Sequence, residues 1–300
     1  MSNFTREIKN FDLLEKQLKE NRFLERIEKE YIQQGKAFLA VRNNEATVYY
    51  HGNQLCSLLS RNNFLPSVYN HYLPLTRSKT LQKVLKKVNY TEMQWQEKEE
   101  NGNISFHGVL LEILDNIVKE QSPESVQASE FYKFSPLNRK EQHDIVLLDI
   151  EAAFAESREK TERIDLVFYH TVEKRLMFVE VKRLWDDRLE KKDGNQAEVV
   201  EQLSRYSRRL CTEKDKINTQ YNHVIGYYNR LSGKNMPLIE NGEPLLGLLL
   251  VEYTSSAEDK ERKQKVERLV QECEYKKYAI GNTGNLTKGT ITAIYEALRK

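Results

Sequence analysis

The chain has 300 residues, enough for one large domain or two modest ones. Its 47 Lys and Arg residues nearly balance 45 Asp and Glu residues, and the net charge of +2 argues against a polybasic coat protein. Only 12 glycines and 6 prolines occur, which excludes collagen-like and Gly/Pro-rich disordered chains. The longest apolar run, Leu245 to Val251, is far shorter than the roughly 18 residues that indicate a membrane span, so we expect no membrane partner.

The cysteines and the first residues indicate the compartment. Cys56, Cys211 and Cys273 are widely spaced and form no CxxC pair or Cys/His cluster, so neither a disulfide framework nor a structural zinc is expected. The opening sequence, MSNFTREIKN, lacks the apolar stretch of a secretory signal. We therefore expect a reducing, cytoplasmic setting.

The first hundred residues predict a small α+β module. Asn43-Asn44-Glu45 separates two short apolar runs and indicates a hairpin. The polar stretch 91–103 marks a domain boundary, so we predict an accessory module over 1–103. Its predicted elements are a helix over 5–35, strands over 37–42, 46–51 and 54–59, and a helix over 81–88.

Residues 104–300 predict an α/β domain with a mixed central sheet flanked by helices. Asn195 is the expected N-cap of a helix, with Glu198 completing a capping box. A similar cap is expected at Ser255. The predicted helices cover 105–120, 197–210, 217–231, a charged segment after Ser255, and 286–298, and the predicted strands cover 145–155, 164–169, 176–181, 245–253 and 278–281.

Two neighbouring strands carry the residues of chemical interest. Glu180 and Lys182 share one face at the end of an apolar strand, because side chains alternate along a strand. Asp165 lies inside the preceding apolar strand, where an unpaired carboxylate would cost several kcal/mol. A divalent cation between Asp165 and Glu180 would relieve that cost, and such oxygen ligands suit Mg²⁺ or Mn²⁺.

Simpler explanations exist for the same residues. Asp165 would be a structural residue if it formed an ion pair with Arg163 or Arg175. Glu180 and Lys182 would be an ordinary surface pair if their strand face were exposed. The sequence leaves these alternatives open.

The pattern resembles the PD-(D/E)XK nuclease superfamily. Asp165, then Glu180-Val-Lys182 on the next strand, reproduce its acidic pair and lysine, although Ile164 stands where the family name has proline. On the helix that follows, Gln202 and Tyr206 reproduce the QxxxY signature of the RecB-like branch, and they share one helical face. The resemblance covers about residues 105 to 255 and implies a restriction-endonuclease-like core.

The resemblance also implies roles for these residues. Asp165 and Glu180 would bind the metal ion, with the Val181 carbonyl as a third ligand. Lys182 would orient the attacking water and stabilise charge growing on the phosphate. Gln202 and Tyr206 would position a ligand water or a substrate phosphate.

Other candidates are supported by less. Glu112 matches the acidic residue that some family members contribute from their first helix, and Asp115 and Glu151 compete for that role. Trp185, just after the Glu-x-Lys strand, would either frame the cleft or only end the strand. Basic residues that would contact phosphates, or simply be solvated, are Arg205, Arg208, Arg209, Lys83, Lys86 and Lys87.

The resemblance implies a Mg²⁺-dependent phosphodiesterase, an endonuclease or other nuclease acting on DNA in preference to RNA. Restriction or antiviral defence is the first context we expect, followed by repair or recombination. The alternative is an inactive nuclease fold that binds nucleic acid or serves as a scaffold. The N-terminal module would then recruit a partner protein or a second copy of the chain.

Overall fold

The protein is described here by a computed structural model covering residues 4–69, 72, 87–89, 106–155, 161–190, 197–240, 242–254, 256–271, 276–279 and 286–299. The chain divides into two compact units. The N-terminal unit comprises Arg6–Lys133 and Leu137–Lys140, and the C-terminal unit comprises Met1–Thr5, Phe134–Pro136 and Glu141–Lys300.

The N-terminal unit is built on an antiparallel five-stranded sheet in the order β1-β2-β3-β4-β5. The hairpin and third strand predicted from the sequence are confirmed. The elements are helices α1 (Phe11–Glu20), α2 (Arg22–Ile27), α3 (Phe106–Lys119) and α4 (Pro123–Ser129), and strands β1 (Ala37–Arg42), β2 (Glu45–Tyr50), β3 (Asn53–Leu59), β4 (Pro66–Tyr69) and β5 (Lys87–Asn89).

Two helix predictions in this unit need correction. The helix predicted over 5–35 begins at Phe11 and is interrupted at Asn21, whose side chain accepts hydrogen bonds from the N–H groups of the next helix. The helix predicted over 81–88 is wrong at its end, because Lys87 and Val88 belong to β5. Residues 81–86 lie outside the described part of the chain.

The N-terminal unit extends further than we expected. The amide of Asn53 in β3 donates a hydrogen bond to the Ile117 carbonyl of α3 at 3.4 Å, and Gly52 lies so close to α4 that an added Cβ would be 2.3 Å from Ser125. Helices α3 and α4 thus pack on the first sheet. The division therefore comes after Lys133 and not at the predicted position 103, which itself lies outside the described residues.

The C-terminal unit contains a mixed five-stranded sheet in the order β10-β9-β8-β7-β6. Strands β6, β7 and β8 are antiparallel, while β8, β9 and β10 are parallel, so the predicted mixed sheet is confirmed. Its elements are β6 (Ile145–Ala155), β7 (Thr161–His170), β8 (Arg175–Arg183), α5 (Glu198–Thr212), α6 (Lys214–Ser232), β9 (Leu245–Val251), α7 (Ala257–Gln271), β10 (Lys276–Ala279) and α8 (Lys288–Arg299).

Both predicted helix caps in this unit are displaced. The N-cap residue of α5 is Ala197, which offers no side-chain hydrogen bond, so the cap predicted at Asn195 is wrong. At α7 the hydroxyl of Ser256 accepts a hydrogen bond from the Asp259 N–H at 3.0 Å, one residue beyond the predicted Ser255. Helix α5 instead relies on its apolar stripe, in which Val199 and Leu203 are fully buried.

The helices also bear on the question of a membrane span. Across the described ranges, from residue 4 to residue 299 with their gaps, no helix is long and apolar enough to cross a bilayer.

Candidate active site

The pairing of β7 with β8 brings the two predicted carboxylates to one place. These strands are paired from His170 opposite Arg175 to Leu166 opposite Val179. Asp165 is the next residue on β7, and its Oδ2 atom accepts a hydrogen bond from the Val181 N–H at 2.7 Å. The Asp165 carboxylate therefore lies against the peptide that joins residues 180 and 181.

Glu180 and Lys182 form a buried ion pair. Their residues are only 1% and 3% exposed, and the Lys182 ammonium donates a hydrogen bond to Oε1 of Glu180. The second carboxylate oxygen of Glu180 is buried, and no hydrogen-bond partner for it lies within the described residues. Burying such charges is costly unless further groups compensate them, so packing alone is a poor reason for this arrangement.

Burial dominates the acidity of both carboxyls. Burial raises the pKa of the Asp165 carboxyl well above its usual range, the Glu180 charge raises it further, and the Lys182 ammonium and the Val181 N–H oppose this. The pKa of Glu180 is raised by burial and lowered in part by Lys182. Ionising both acidic groups beside a single cation would leave an excess of negative charge, and this is what the raised pKa of Asp165 opposes.

The contacts of the described residues do not include the ion pairs that a purely structural role for Asp165 would require. The guanidinium of Arg163 pairs with Glu151 at 3.2 Å, and Arg175 donates to the Glu243 carbonyl at 2.6 Å. The Glu180–Lys182 pair is interior, so it is not a surface salt bridge. The hydrogen bond to the Asp165 carboxylate thus comes from a main-chain N–H group and not from an arginine.

The oxygen atoms at this site are of the kind that a hard divalent ion binds, and their hydrogen bonding is incomplete. Carboxylate and carbonyl oxygens are the ligands that Mg²⁺ and Mn²⁺ favour, and one Glu180 oxygen is buried without a hydrogen bond within the described residues. The described part of the chain contains no cluster of three or more His, Cys, Asp or Glu side chains arranged for a metal. The two carboxylates and the Val181 carbonyl stay the predicted ligands of an ion.

Gln202 and Tyr206 connect α5 to the strand that carries Asp165. The hydroxyl of buried Tyr206 donates a hydrogen bond to the carbonyl of Arg163 in β7, and the Gln202 amide donates to the Tyr206 oxygen at 2.7 Å. The Gln202 side chain also lowers the pKa of Glu180, so it lies near that carboxylate. Tyr206 thus holds the strand, whereas a direct role in positioning water or phosphate stays a prediction.

The three candidates for a further acidic residue lie in different places. Glu112 and Asp115 are exposed on α3 in the N-terminal unit, so their participation stays a prediction. Glu151 is in β6 of the C-terminal sheet, between residues paired with Leu166 and Ile164, and therefore level with Asp165. Its φ of 50° is in the left-handed region, whereas the register shift of β6 lies earlier, between Leu147 and Asp149.

The predicted basic contacts divide in the same way. Arg205 and Arg208 are exposed on α5, and their contact with phosphates stays a prediction. Arg209 is instead buried, with its guanidinium 5.8 Å from the centre of the Phe154 ring. The packing of Arg209 against Phe154 is a sufficient reason for an arginine at this position, and it requires no contact with nucleic acid. Lys83 and Lys86 lie outside the described residues.

The loop after β8 adds an ion pair that the sequence did not single out. Arg188 donates two hydrogen bonds to the Asp186 carboxylate, from Nε at 2.9 Å and from Nη2 at 2.5 Å. Burial alone would raise the pKa of Asp186, but Arg188 outweighs it, Lys182 also contributes, and the pKa falls to about 2. The influence of Lys182 places this loop beside the acidic pair. The Asp-x-Arg spacing in the sequence is the feature from which this ion pair could have been predicted.

A separate cavity of about 410 Å³ lies at the other end of the sheet. Its lining includes His143, Thr171 and Lys234, and burial lowers the pKa of His143 and of Lys234. None of its lining residues belongs to the Asp165, Glu180 and Lys182 cluster. The cavity therefore does not define the candidate active site.

Comparison with known proteins adds no assignment. No protein-family model, no curated protein and no solved structure matches this chain. The geometry described above is therefore the basis of the functional proposal.

Proposed function

We propose that the protein is a divalent-metal-dependent nuclease that hydrolyses phosphodiester bonds in DNA. The observation that carries the proposal is the convergence of three charged side chains. Asp165 contacts the peptide between Glu180 and Val181, and Glu180 pairs with Lys182 inside the protein. Nothing in the packing of a sheet requires a half-buried acid to lie beside a buried pair of an acid and a lysine.

The arrangement of strands supports a restriction-endonuclease-like core for the C-terminal unit. Three antiparallel strands, β6 to β8, are followed by α5, α6 and then β9, which lies parallel to β8. The acidic pair lies on the second and third strands of that series, as the resemblance implies. The preference for DNA, and a role in restriction or defence, rest on the resemblance and not on the geometry.

The residues of the site divide the work. The carboxylates of Asp165 and Glu180, with the Val181 carbonyl, would hold one Mg²⁺ or Mn²⁺ ion. Such an ion, when bound, acidifies water and neutralises charge on a phosphate. Lys182 orients the attacking water through its ammonium group and stabilises the negative charge that grows on the phosphate. Tyr206, through the Arg163 carbonyl, fixes the strand segment that presents Asp165.

The test is a cleavage assay on the full chain. Supercoiled plasmid, linear duplex, single-stranded DNA and RNA are incubated with Mg²⁺, Mn²⁺ or EDTA. We expect metal-dependent cleavage of DNA and none in EDTA. Asp165→Asn and Glu180→Gln should each slow cleavage at least about a hundredfold, because each removes a ligand charge while keeping side-chain size.

Controls separate a chemical loss from a loss of folding. The variant Asp215→Asn makes the same carboxylate-to-amide change at an exposed residue of α6 and should cleave like the parent. Thermal unfolding of every variant is measured under assay conditions, and Lys182→Met is assayed well below its unfolding temperature. Cleavage in EDTA, or an Asp165→Asn variant as fast as the parent, would overturn the proposal.

A further inference from the structure

Two aromatic residues leave the C-terminal sheet together, at the end where β8 finishes. Arg183 of β8 lies opposite Val251 of β9 in parallel register. The N–H of Leu184 donates to the Val251 carbonyl at 3.0 Å, so the chains stay paired up to that point. Trp185 and Tyr253 follow, each two residues beyond the Arg183–Val251 pair. The two residues therefore follow neighbouring strands at the same end of the sheet.

Trp185 is exposed and yet held in place. The residue is 54% exposed, while its indole N–H donates to Oδ1 of Asp259 at 2.9 Å. Asp259 is itself fixed by the N–H of Thr254 at 2.7 Å, and the guanidinium of buried Arg262 lies 5.6 Å from the Trp185 ring centre. A large ring that is anchored at its edge but open to solvent retains a face for a planar partner.

Tyr253, at the neighbouring strand end, is half-buried and also has a cation near its ring. The ammonium of Lys263 lies 5.2 Å from the centre of the Tyr253 ring, and Lys263 directly follows Arg262 on α7. Aromatic rings interleaved with cations match the chemistry of a nucleic-acid strand, whose bases stack and whose phosphates are anionic.

Trp185 is also close to the candidate active site along the chain. Trp185 follows Lys182 by three residues, and a chain segment of that length spans at most roughly 11 Å. Asp186, which adjoins Trp185, interacts electrostatically with Lys182. A strand with its phosphate at Lys182 would therefore have its nearest bases within reach of the Trp185 ring.

We propose that Trp185 and Tyr253 form a stacking platform for unpaired bases of the nucleic-acid substrate. The proposal rests on the proposed nuclease function and specifies its substrate class: single strands, flaps or frayed ends. Bases within an intact duplex already stack on one another and offer no free face to a side chain. The platform therefore selects the unpaired nucleotide next to the phosphodiester that is cut.

The test uses Trp185 as its own reporter. The chain has two tryptophans, so a full-length Trp95→Phe protein contains Trp185 as its sole indole. Its emission is followed in EDTA during titration with single-stranded oligothymidylate, and in parallel with a blunt-ended DNA hairpin. We expect quenching by the single strand at saturation and little change with the hairpin, because stacking on a base quenches the indole.

Affinity for a labelled single strand provides the second measurement. Trp185→Leu, which keeps apolar bulk but loses the aromatic face, should bind about tenfold more weakly, whereas Trp185→Phe should stay within about threefold of the parent. Tyr253→Leu should also weaken binding. The matched control is Val172→Ala, a residue that is 71% exposed in the turn between β7 and β8 and should bind unchanged.

The outcomes separate this platform from the nuclease function. Unchanged Trp185 emission at saturating single strand, equal quenching by the hairpin, absence of binding, or full affinity in Trp185→Leu would each overturn the platform. Because the titrations contain EDTA, quenching without any metal-dependent cleavage would overturn the nuclease function and leave the platform standing. Metal-dependent cleavage without quenching would do the reverse.

Discussion

Lys182 is the only cation that the described contacts place directly on the buried Glu180 carboxylate, with Asp165 close by. Removing a buried cation of this kind strongly destabilises a protein, because the acidic groups that it compensated stay behind without it. Lys182 therefore stabilises the fold of the metal-free protein, in addition to its proposed role in the reaction.

This gives a prediction for a double-mutant cycle. Lys182→Met should lower the free energy of unfolding by about 3–5 kcal/mol at neutral pH in EDTA, because it leaves buried carboxylates uncompensated. Adding Glu180→Gln should restore much of the loss, because the pair is removed together. Urea unfolding of the parent, both single variants and the double variant measures this. Additive losses would contradict a direct Glu180–Lys182 pair.

Asp186 gives a prediction for pH dependence. Arg188 holds the pKa of Asp186 at about 2, below the value of roughly 3.9 expected in an unfolded chain. A pKa lowered on folding adds stability above the unfolded pKa, and this contribution disappears as the pH falls through the folded pKa.

Asp186→Asn should therefore reduce the free energy of unfolding by about 1–2 kcal/mol at pH 7. The difference from the parent should shrink below about pH 4 and vanish near about pH 2. Urea unfolding across this range provides the comparison, with Asp215→Asn as an exposed control. A difference that is the same at every pH would show that the Asp186–Arg188 pair does not carry it.

At the scale of elements, α5 and β7 are joined by the Tyr206 hydroxyl, which reaches the Arg163 carbonyl two residues before Asp165. Tyr206→Phe should lower the free energy of unfolding by about 1–3 kcal/mol, because the Arg163 carbonyl loses the donor that the buried Tyr206 side chain supplies. Cleavage should slow beyond what the folded fraction explains, since the segment bearing Asp165 is then less constrained.

A second tyrosine provides the control for that change. Tyr228 on α6 is equally buried and donates to the Leu148 carbonyl of β6 at 3.1 Å, away from the acidic pair. Tyr228→Phe should cost similar stability and leave the cleavage rate of the folded protein unchanged. Equal rate losses in both variants would mean that Tyr206 acts only through stability.

The elements also show how far the sequence predicts this protein. Short apolar runs predicted β7 and β8, and the alternation of side chains along a strand put Glu180 and Lys182 on one face. The α5 cap was missed because apolar packing, and not a capping side chain, sets the start at Ala197. The neighbouring positions of Trp185 and Tyr253 depend on the parallel register of β8 with β9, which periodicity does not reveal.

At the scale of the whole molecule, the units do not follow simple sequence order. Phe4 belongs to the C-terminal unit, where its ring stacks on Phe154 with centroids 4.8 Å apart and lies 5.8 Å from Tyr221. The amphipathic stripe of α3 predicted which face is buried, but it did not predict which sheet covers that face. The boundary predicted at 103 came from the polar composition of 91–103, and composition does not show on which sheet the following helix packs.

Phe4 supplies a prediction for the intact chain. The side chain is 1% exposed, so Phe4→Ala should destabilise the C-terminal unit by about 3–5 kcal/mol, and Phe4→Leu by clearly less. Hydrogen exchange of amides in β6 and α6 reports on this unit separately from the rest. Unchanged protection in Phe4→Ala would show that the Phe4–Phe154 stack contributes nothing to stability.

Binding of a single divalent ion by Asp165 and Glu180 together is the property on which the proposed chemistry depends. Calorimetric titration of the metal-free full-length protein with Mn²⁺, without nucleic acid, measures it most directly. The predicted result is binding by the parent and by Asp215→Asn, and an affinity loss of about a hundredfold in both Asp165→Asn and Glu180→Gln. Mn²⁺ affinity that is unchanged in those two variants would contradict a shared metal site.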